Sequence, residues 1–162
     1  MKNHWIQKTL GAALAAAAVG LLAGCDQPTV AATAEKDKAG EPKWLTDYPQ
    51  ALKLAAEQKR PMLLDFTGSD WCPYCIQLRK EVFNTAEFQR YAGDHLILVE
   101  LDFPKTKPQS KEVTQQNEKL QQQYRVEGFP TVILLGPDGK EVKRSEGLVP
   151  GGVKGFMKWM GA

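Results

Sequence analysis

This sequence of 162 residues is best understood from one stretch near its middle, Gly68-Ser69-Asp70-Trp71-Cys72-Pro73-Tyr74-Cys75. The stretch follows an apolar run typical of a strand, opens a pattern typical of a helix, and has two cysteines three positions apart. A cysteine in a first helical turn faces unpaired backbone N–H groups and the positive end of the helix dipole, which favour its thiolate. Its partner lies on the same helix face, close enough to form a small disulfide ring. We therefore predict a thiol–disulfide redox site.

The first 24 residues have the composition of a targeting segment. Lys2 and Lys8 make a basic start, and residues 10–23 form an apolar run that suits a signal peptide better than a membrane span. The run ends in Leu-Ala-Gly-Cys at 22–25, which resembles the lipobox of bacterial lipoproteins. This resemblance implies a lipoprotein signal peptide over residues 1–24 and lipidation of Cys25. An ordinary cleavable signal is the alternative, because Ala-Gly would also serve as its cleavage site.

Lipidation of Cys25 would leave Cys72 and Cys75 as the only thiols of the mature chain. Export also places the pair in an oxidising compartment, where it stays oxidised unless a reductant acts on it. Removing Lys2 and Lys8 from the 21 basic residues leaves 19, which equals the number of acidic residues. The sequence shows no cluster of Lys and Arg interleaved with aromatic residues, so nothing supports nucleic-acid binding.

Residues 25–43 have no apolar period and read as a flexible tether to a folded domain over residues 44–162. In that domain the patterns predict helices over about 48–59, 73–83, 85–91, 110–124 and 153–160, and strands over 62–66, 96–102, 131–135 and 141–145. Asp47 and Ser110 are predicted helix caps. Predicted core contacts of the second helix are Ile76, Leu78, Val82 and Phe83. This order favours an α/β fold, a mixed central β-sheet flanked by helices on both faces.

The domain resembles the thioredoxin superfamily over about residues 44–160. The resemblance rests on the order of elements and on two motifs, Trp71-Cys72-Pro73-Tyr74-Cys75 after a strand and Gly128-Phe129-Pro130-Thr131 before the third strand. Within the superfamily it looks most like the exported lipoprotein and DsbD C-terminal-type branch, although a Pro-Tyr dipeptide is typical of glutaredoxins. The resemblance implies a thioredoxin fold and thiol–disulfide oxidoreductase activity, with no cofactor and no metal.

The resemblance also implies roles for the residues that do the chemistry. Cys72 matches the nucleophile that forms a mixed disulfide with substrate, and Cys75 matches the thiol that resolves it. Asp65 matches a buried acid that moves protons during resolution, although it could also be a strand-end residue bonded to backbone. Where thioredoxin has a lysine near this acid, the present chain has Glu100. Two neighbouring carboxylates would raise one another's pKa, which predicts a pair able to hold a proton.

Three further residues are expected to contact substrate. Trp71 would shield the site and pack beside it. Pro130 matches the proline that follows a cis peptide bond and faces the cysteines, an uncommon bond and therefore a sharp structural prediction. Phe129 would offer backbone groups to an extended substrate chain, although its side chain is equally compatible with the core.

The cysteine pair is also compatible with three other kinds of site. A purely structural disulfide is the first, but a bridge across three residues constrains a very short loop and stabilises little. A zinc site would need four ligands, and the mature chain has only one histidine, His95. A copper carrier would need His95 near the cysteines, whereas its position before a predicted strand is more typical of a surface or core residue.

The sequence thus predicts a membrane-anchored, exported thiol–disulfide oxidoreductase, acting as a reductant or isomerase. Its expected partners are exported proteins with disulfides or thiols, a membrane-embedded electron donor, and the membrane through the lipid anchor. Asp26 after Cys25 resembles the inner-membrane retention signal of enterobacterial lipoproteins, which implies the periplasmic side of the bacterial cytoplasmic membrane. The alternative is a thioredoxin-fold binding or metal-escort lipoprotein without redox turnover.

Overall fold

A computed structural model describes residues 42–162 of the protein. The predicted signal peptide, the lipidation site at Cys25 and nearly all of the tether lie outside the described residues. Within residues 42–162, no helix has both the length and the apolar character needed to cross a membrane.

The strands of residues 42–162 form one five-stranded sheet that is covered by helices. The strands are β1 (Trp44–Leu45), β2 (Met62–Thr67), β3 (Ile97–Asp102), β4 (Thr131–Leu135) and β5 (Glu141–Glu146). The helices are α1 (Tyr48–Gln58), α2 (Pro73–Leu78), α3 (Ala86–His95), α4 (Lys111–Gln123) and α5 (Gly152–Met160). A π-helical turn, Arg79–Phe83, continues α2 without a break.

The sheet is mixed, as the sequence predicts. Its strand order is β1-β3-β2-β4-β5, with β1, β3 and β2 parallel and with β4 antiparallel to both β2 and β5. The central strand β2 is buried on both faces, which explains its continuous apolar run. The parallel and antiparallel halves meet at β2, so the residues that follow it are placed at the junction of the sheet.

Helices cover both faces of the sheet, and each face has its own hydrophobic core. On one face Leu64 and Phe66 of β2 pack against α1 and α4. On the other, Leu63 packs with the aromatic residues Phe83, Phe88 and Phe156 of the π-helical turn, α3 and α5. Burial on both faces holds β2 rigidly and fixes the start of the loop that leads from it to the cysteines.

Local capping follows the sequence closely. The Asp47 carboxylate accepts a hydrogen bond from the N–H of Gln50 at 2.8 Å, and the Ser110 hydroxyl accepts one from Val113 at 3.3 Å. Both predicted caps are therefore confirmed. Strand β1 is not predicted from the sequence, because a strand of two residues is too short to show a period.

The prediction that Ile76 is a core contact is wrong, because its side chain is 50% exposed. Leu78, Val82 and Phe83 are buried as predicted. Each helical residue is turned by about 100° from the one before it, so when Cys75 and Leu78 face inward, Ile76 faces outward.

Candidate active site

The two cysteines lie at the start of α2, directly after the loop that leaves β2. Cys72 is the N-cap residue and Pro73 the first residue of the helix, where the missing N–H of proline leaves no hydrogen bond unmade. Cys72 and Cys75 form a disulfide with their Cα atoms 5.2 Å apart. The N–H of Cys75 donates a hydrogen bond to the Sγ of Cys72 at 3.2 Å. The first helical turn thus directs a donor at the sulfur that the sequence predicts to be the nucleophile.

An aromatic wall stands beside the disulfide and consists of Trp71, Phe103 and Phe129. The ring of Trp71 meets the ring of Phe129 edge-on at 6.1 Å, and Phe103 stacks on Phe129 at 4.9 Å. The indole N–H of Trp71 donates to the carbonyl of Phe103 at 2.8 Å, and the Lys105 ammonium lies 4.1 Å from the indole centroid. The structure therefore brings Trp71 and Phe129 together, as their predicted roles require.

Phe103 and Lys105 escaped the sequence analysis, since both lie in a loop without periodicity. The only available signal was their position directly after a buried strand parallel to β2, which carries them to the same edge of the sheet.

The peptide bond between Phe129 and Pro130 is cis, as the resemblance implies. Pro130 is buried, and its carbonyl accepts a hydrogen bond from the N–H of Gly147 at 2.8 Å. Phe129 is half-buried and contacts the core as well as Trp71. The contact with Trp71 places the segment before β4 next to the cysteine motif, while its role in substrate binding stays a prediction.

The loop between β2 and α2 is held to the loop after β3 by two carboxylates. Asp70 accepts hydrogen bonds from the backbone N–H groups of Lys105, Thr106 and Lys107 and from the Thr106 hydroxyl. These bonds, that of the Thr106 hydroxyl first, hold the pKa of Asp70 below its usual range.

The second carboxylate is Asp102, at the end of β3. It accepts from the backbone N–H of Ser69 at 2.8 Å and from the Ser69 hydroxyl at 2.6 Å. We call each carboxylate with its hydrogen bonds a clamp. Asp70 lies in the motif loop and binds the loop after β3, whereas Asp102 lies at the end of β3 and binds the motif loop. Together they fix the backbone that precedes Cys72.

Asp65 lies in the middle of the sheet and is only 2% exposed. It stands opposite Glu100 of β3 and Val132 of β4. Its Oδ1 is buried without a hydrogen-bond partner among the described residues, and its Oδ2 lies 3.7 Å from Nη2 of Arg79. Burial raises the pKa of Asp65 to about 7, while Arg79 opposes this rise and Glu100 and Asp102 add to it.

Arg79 lies close to both members of the predicted carboxylate pair, Asp65 and Glu100. Its Nη2 donates to Oε1 of Glu100 at 2.5 Å, and its guanidinium lies over the indole of Trp44 at 5.3 Å. The pKa of Asp65 is raised, as predicted, but burial is the main cause and Glu100 contributes less. The site is therefore a triad of two carboxylates and one arginine.

A recess of about 190 Å³ opens behind the cysteines and is lined in part by Cys75, Ile76 and Arg79. It gives solvent an approach to the second cysteine, although both cysteines are nearly buried in the disulfide form, at 4% and 3% exposure.

His95 ends α3 and is exposed, with its ring stacked on Tyr91 at 4.4 Å. Among residues 42–162, no three His, Cys, Asp or Glu side chains are grouped so that they could hold a metal ion.

Comparison with known proteins identifies the family. The thioredoxin-like domain family model matches residues 48–154. The chain therefore belongs to the family of thioredoxin-like domains, and its sheet and helices form a thioredoxin fold.

The chain is similar to two relatives of known name and to one solved structure. It is 41% identical over 105 residues to "Disulfide bond reductase DsbH" of Chlamydia pneumoniae, covering 65% of this chain and 63% of that protein. It is 33% identical over 104 residues to "Thiol:disulfide interchange protein DsbD" of Photorhabdus laumondii, covering 64% of this chain and 16% of that protein. A solved structure titled "DsbH Oxidoreductase" matches with a TM-score of 0.68 and 36% identity over 74% of this chain and 81% of that one. The predicted resemblance to the DsbD branch is confirmed, while the chain spans less than two thirds of either relative's length.

Proposed function

We propose that this protein is a thiol–disulfide oxidoreductase that exchanges disulfides with exported proteins through Cys72 and Cys75. One observation carries the proposal, the disulfide across the first turn of α2 with the Cys75 N–H directed at the Cys72 sulfur. After reduction, that donor and the helix N-terminus would favour a thiolate at Cys72. A low thiol pKa is what a cysteine needs to attack another disulfide near neutral pH.

In the reductive direction the reaction has two exchange steps. The Cys72 thiolate attacks one sulfur of the substrate disulfide, forms a mixed disulfide and releases the first substrate thiolate. The Cys75 thiolate then attacks the Cys72 sulfur, closes the internal disulfide and releases the second. The ionised carboxylate of Asp65 accepts the proton of the Cys75 thiol. Two electrons pass from the cysteine pair to the substrate.

Substrate would bind along the aromatic wall. Trp71 and Tyr74 are the exposed aromatic residues of the motif, at 38% and 61% exposure, and Phe129 adjoins them through Trp71. An extended chain lying there would meet the backbone of Phe129 and the buried Pro130. This backbone contact is independent of substrate sequence, which suits an enzyme that acts on several exported proteins.

The proposal includes a direction and a location. We expect a reductant or isomerase, because the relative with 41% identity bears the name of a disulfide bond reductase. Turnover would then require electrons from a membrane-embedded donor. The predicted lipobox at residues 22–25 would anchor the chain through Cys25 on the periplasmic side of the cytoplasmic membrane.

Reduction of insulin disulfides by dithiothreitol tests the activity. Purified protein should accelerate the precipitation of insulin B chains, and the Cys72→Ser variant should not. A wild-type rate equal to that of dithiothreitol alone would refute the proposed activity.

The redox direction is tested by equilibrating the protein with glutathione buffers. We expect a potential between about −270 and −200 mV, the range from thioredoxin to glutaredoxins. A value near −120 mV, like that of DsbA, would instead indicate an oxidant.

Anchoring is tested by fractionating cells that express the full chain. Wild-type protein should sediment with inner membranes, and Cys25→Ser should release it. Unchanged membrane association of Cys25→Ser would rule out lipid anchoring at this residue, and recovery mainly in outer membranes would contradict the expected location.

A further inference from the structure

Arg79 reaches the buried carboxylate of Asp65 from the turn that continues the cysteine helix. It follows Cys75 by four residues, and side chains four apart in a helix project from the same face. Arg79 thus extends beneath Cys75 toward the sheet, where its Nη2 reaches both Glu100 at 2.5 Å and Asp65 at 3.7 Å. The backbone N–H of Arg79 bonds to the carbonyls of Cys75 and Ile76, so its position depends directly on the turn that holds the second cysteine.

Three contacts fix the guanidinium in place. Glu100 pairs with it at the distance of a strong hydrogen bond, Trp44 lies under its face, and the Asp65 carboxylate stands at its edge. Only 30% of the Arg79 side chain is exposed, so its charge is poorly screened by solvent. An arginine held in this way keeps its charge at every physiological pH.

The charged groups around Asp65 come from two elements. The π-helical turn after α2 contributes Arg79, and β3 contributes Glu100 and Asp102. The other neighbouring strand, β4, places the apolar Val132 opposite Asp65. Arg79 is therefore the one positive charge among the described groups acting on this carboxylate, and it opposes burial and both other carboxylates.

We propose that Arg79, which Asp65 and Glu100 share, is a positioning residue whose positive charge favours the ionised form of Asp65 and so allows this carboxylate to take the Cys75 proton. The proposal rests on the proposed oxidoreductase function and deepens it. The positive charge reaches the acid from the helix that carries the cysteines. A movement of the backbone at Cys75 would therefore move Arg79 and change the electrostatic environment of Asp65.

Direct titration of Asp65 in the oxidised protein tests whether Arg79 favours the ionised form of Asp65, and it requires no enzymatic activity. Aspartate carboxyl carbons are labelled with 13C, and the Asp65 signal is assigned by its loss in Asp65→Asn. The wild-type signal should titrate near pH 7. Arg79→Met should move the midpoint upward by about one pH unit or more. Glu100→Gln should move it downward, because this change removes a negative charge and leaves Arg79 free to pair with Asp65.

Two matched variants separate charge from structure. Arg79→Lys keeps a positive charge and should move the midpoint less than Arg79→Met does, and it remains informative if the methionine variant fails to fold. Lys80→Met removes the adjacent positive charge, which forms no ion pair with Asp65, and should leave the midpoint unchanged. A destabilised fold would not shift the Arg79→Met and Glu100→Gln midpoints in opposite directions.

The catalytic half is tested in a single turnover. Reduced protein reacts with 5,5′-dithiobis(2-nitrobenzoate), so that Cys72 forms a mixed disulfide and Cys75 then releases the second thionitrobenzoate. The rate of this second release should rise with pH through the Asp65 midpoint. In Arg79→Met the rise should move to higher pH. For a shift of one pH unit the rate at pH 7 should fall about fivefold, because the ionised fraction of Asp65 drops from about one half to about one tenth.

An Asp65 midpoint that is unchanged in Arg79→Met would overturn the proposal. A shifted midpoint with an unshifted release profile would also overturn it, because Asp65 would then not take the Cys75 proton. Failure of the proposed function would look different, since the wild type would show no insulin reduction while the carboxyl titrations still moved as expected.

Discussion

Thr106 donates two hydrogen bonds to the carboxylate of Asp70, one from its backbone N–H at 2.7 Å and one from its hydroxyl at 2.6 Å. The backbone N–H groups of Lys105 and Lys107 donate to the same carboxylate. The residue that begins the Asp-Trp-Cys sequence thereby fixes a loop more than thirty positions away. The Phe103 carbonyl that holds the Trp71 indole belongs to that loop, so Asp70 supports the aromatic wall indirectly.

We predict that Asp70→Ala frees this loop. Hydrogen exchange should accelerate at the amides of residues 105–107 by roughly tenfold, because three N–H groups lose their acceptor. Asp138→Ala is the matched control, since Asp138 likewise accepts from a backbone N–H, that of Lys140, in a distant turn. It should leave residues 105–107 unchanged. Equal exchange at these amides in Asp70→Ala and wild type would contradict the clamp.

The clamp should also have a defined pH dependence. The Thr106 and Lys105 bonds lower the folded-state pKa of Asp70 below its ordinary value. A carboxylate with a lowered folded-state pKa stabilises the fold above its unfolded pKa and loses that contribution as pH falls through the folded value. Protection of residues 105–107 should therefore persist through pH 5 and disappear only in strong acid. Loss of protection between pH 6 and 5 would be inconsistent with this assignment.

Asp65 should act on stability in the opposite sense. Its folded-state pKa is raised from 3.8 to about 7, so between these values the folded protein keeps a proton that the unfolded chain has lost. The free energy of unfolding should thus fall as pH rises from about 4 to 7 and level off above 7. Asp65→Asn lacks this penalty and should be more stable than wild type at pH 8 by about 2–4 kcal/mol.

Urea unfolding of oxidised wild type and Asp65→Asn at pH 4 and pH 8 measures this difference. Comparing the two proteins removes the contribution of every other titrating group. The stability advantage of Asp65→Asn should be much smaller at pH 4, where the wild-type carboxyl is protonated in the folded state. An equal advantage at both pH values would mean that Asp65 does not titrate in this range.

The position of Trp71 should depend on Gly68. A Cβ built at Gly68 would lie 2.5 Å from Cε2 and 2.7 Å from Nε1 of the indole, so a methyl group must displace the ring. Gly68→Ala should break the hydrogen bond to Phe103, change the tryptophan fluorescence and raise KM more than it lowers kcat. Gly128→Ala is the control for fluorescence and thermal stability, because a Cβ there meets nothing within 4 Å. Unaltered fluorescence of Gly68→Ala would show that the indole is not held at this position.

The sequence predicts the layers of this fold well, because its strands and helices carry strong periodic signals. It also predicts the cysteine pair from a local motif, and the resemblance to the thioredoxin superfamily implies the cis bond at Pro130. The sequence predicts helix phase less well, because an apolar side chain such as that of Ile76 does not always face the core. The phase becomes clear only when Cys75 and Leu78 are known to face the sheet.

The sequence does not predict which residues contact the site residues, and the reason is different. No motif or periodic pattern marks Arg79 as a site residue, and its contact with Asp65 arises only when the π-helical turn packs over β2 and β3. Phe103 and Thr106 lie in a loop whose path is set by hydrogen bonds to Asp70 and Trp71. Such contacts between residues distant in sequence leave no periodic pattern in either segment.

Trapping the mixed disulfide shows which cysteine attacks substrate and which one resolves the intermediate. Reduced Cys75→Ser and Cys72→Ser are each mixed with a disulfide-linked peptide at pH 7. The reactions are quenched with acid, and the mass of each protein is measured by intact mass spectrometry. If Cys72 is the nucleophile, Cys75→Ser should accumulate one peptide per chain on Cys72 at least tenfold faster than Cys72→Ser acquires one on Cys75. Equal rates for the two variants, or faster capture by Cys75, would contradict the assignment of Cys72 as the nucleophile.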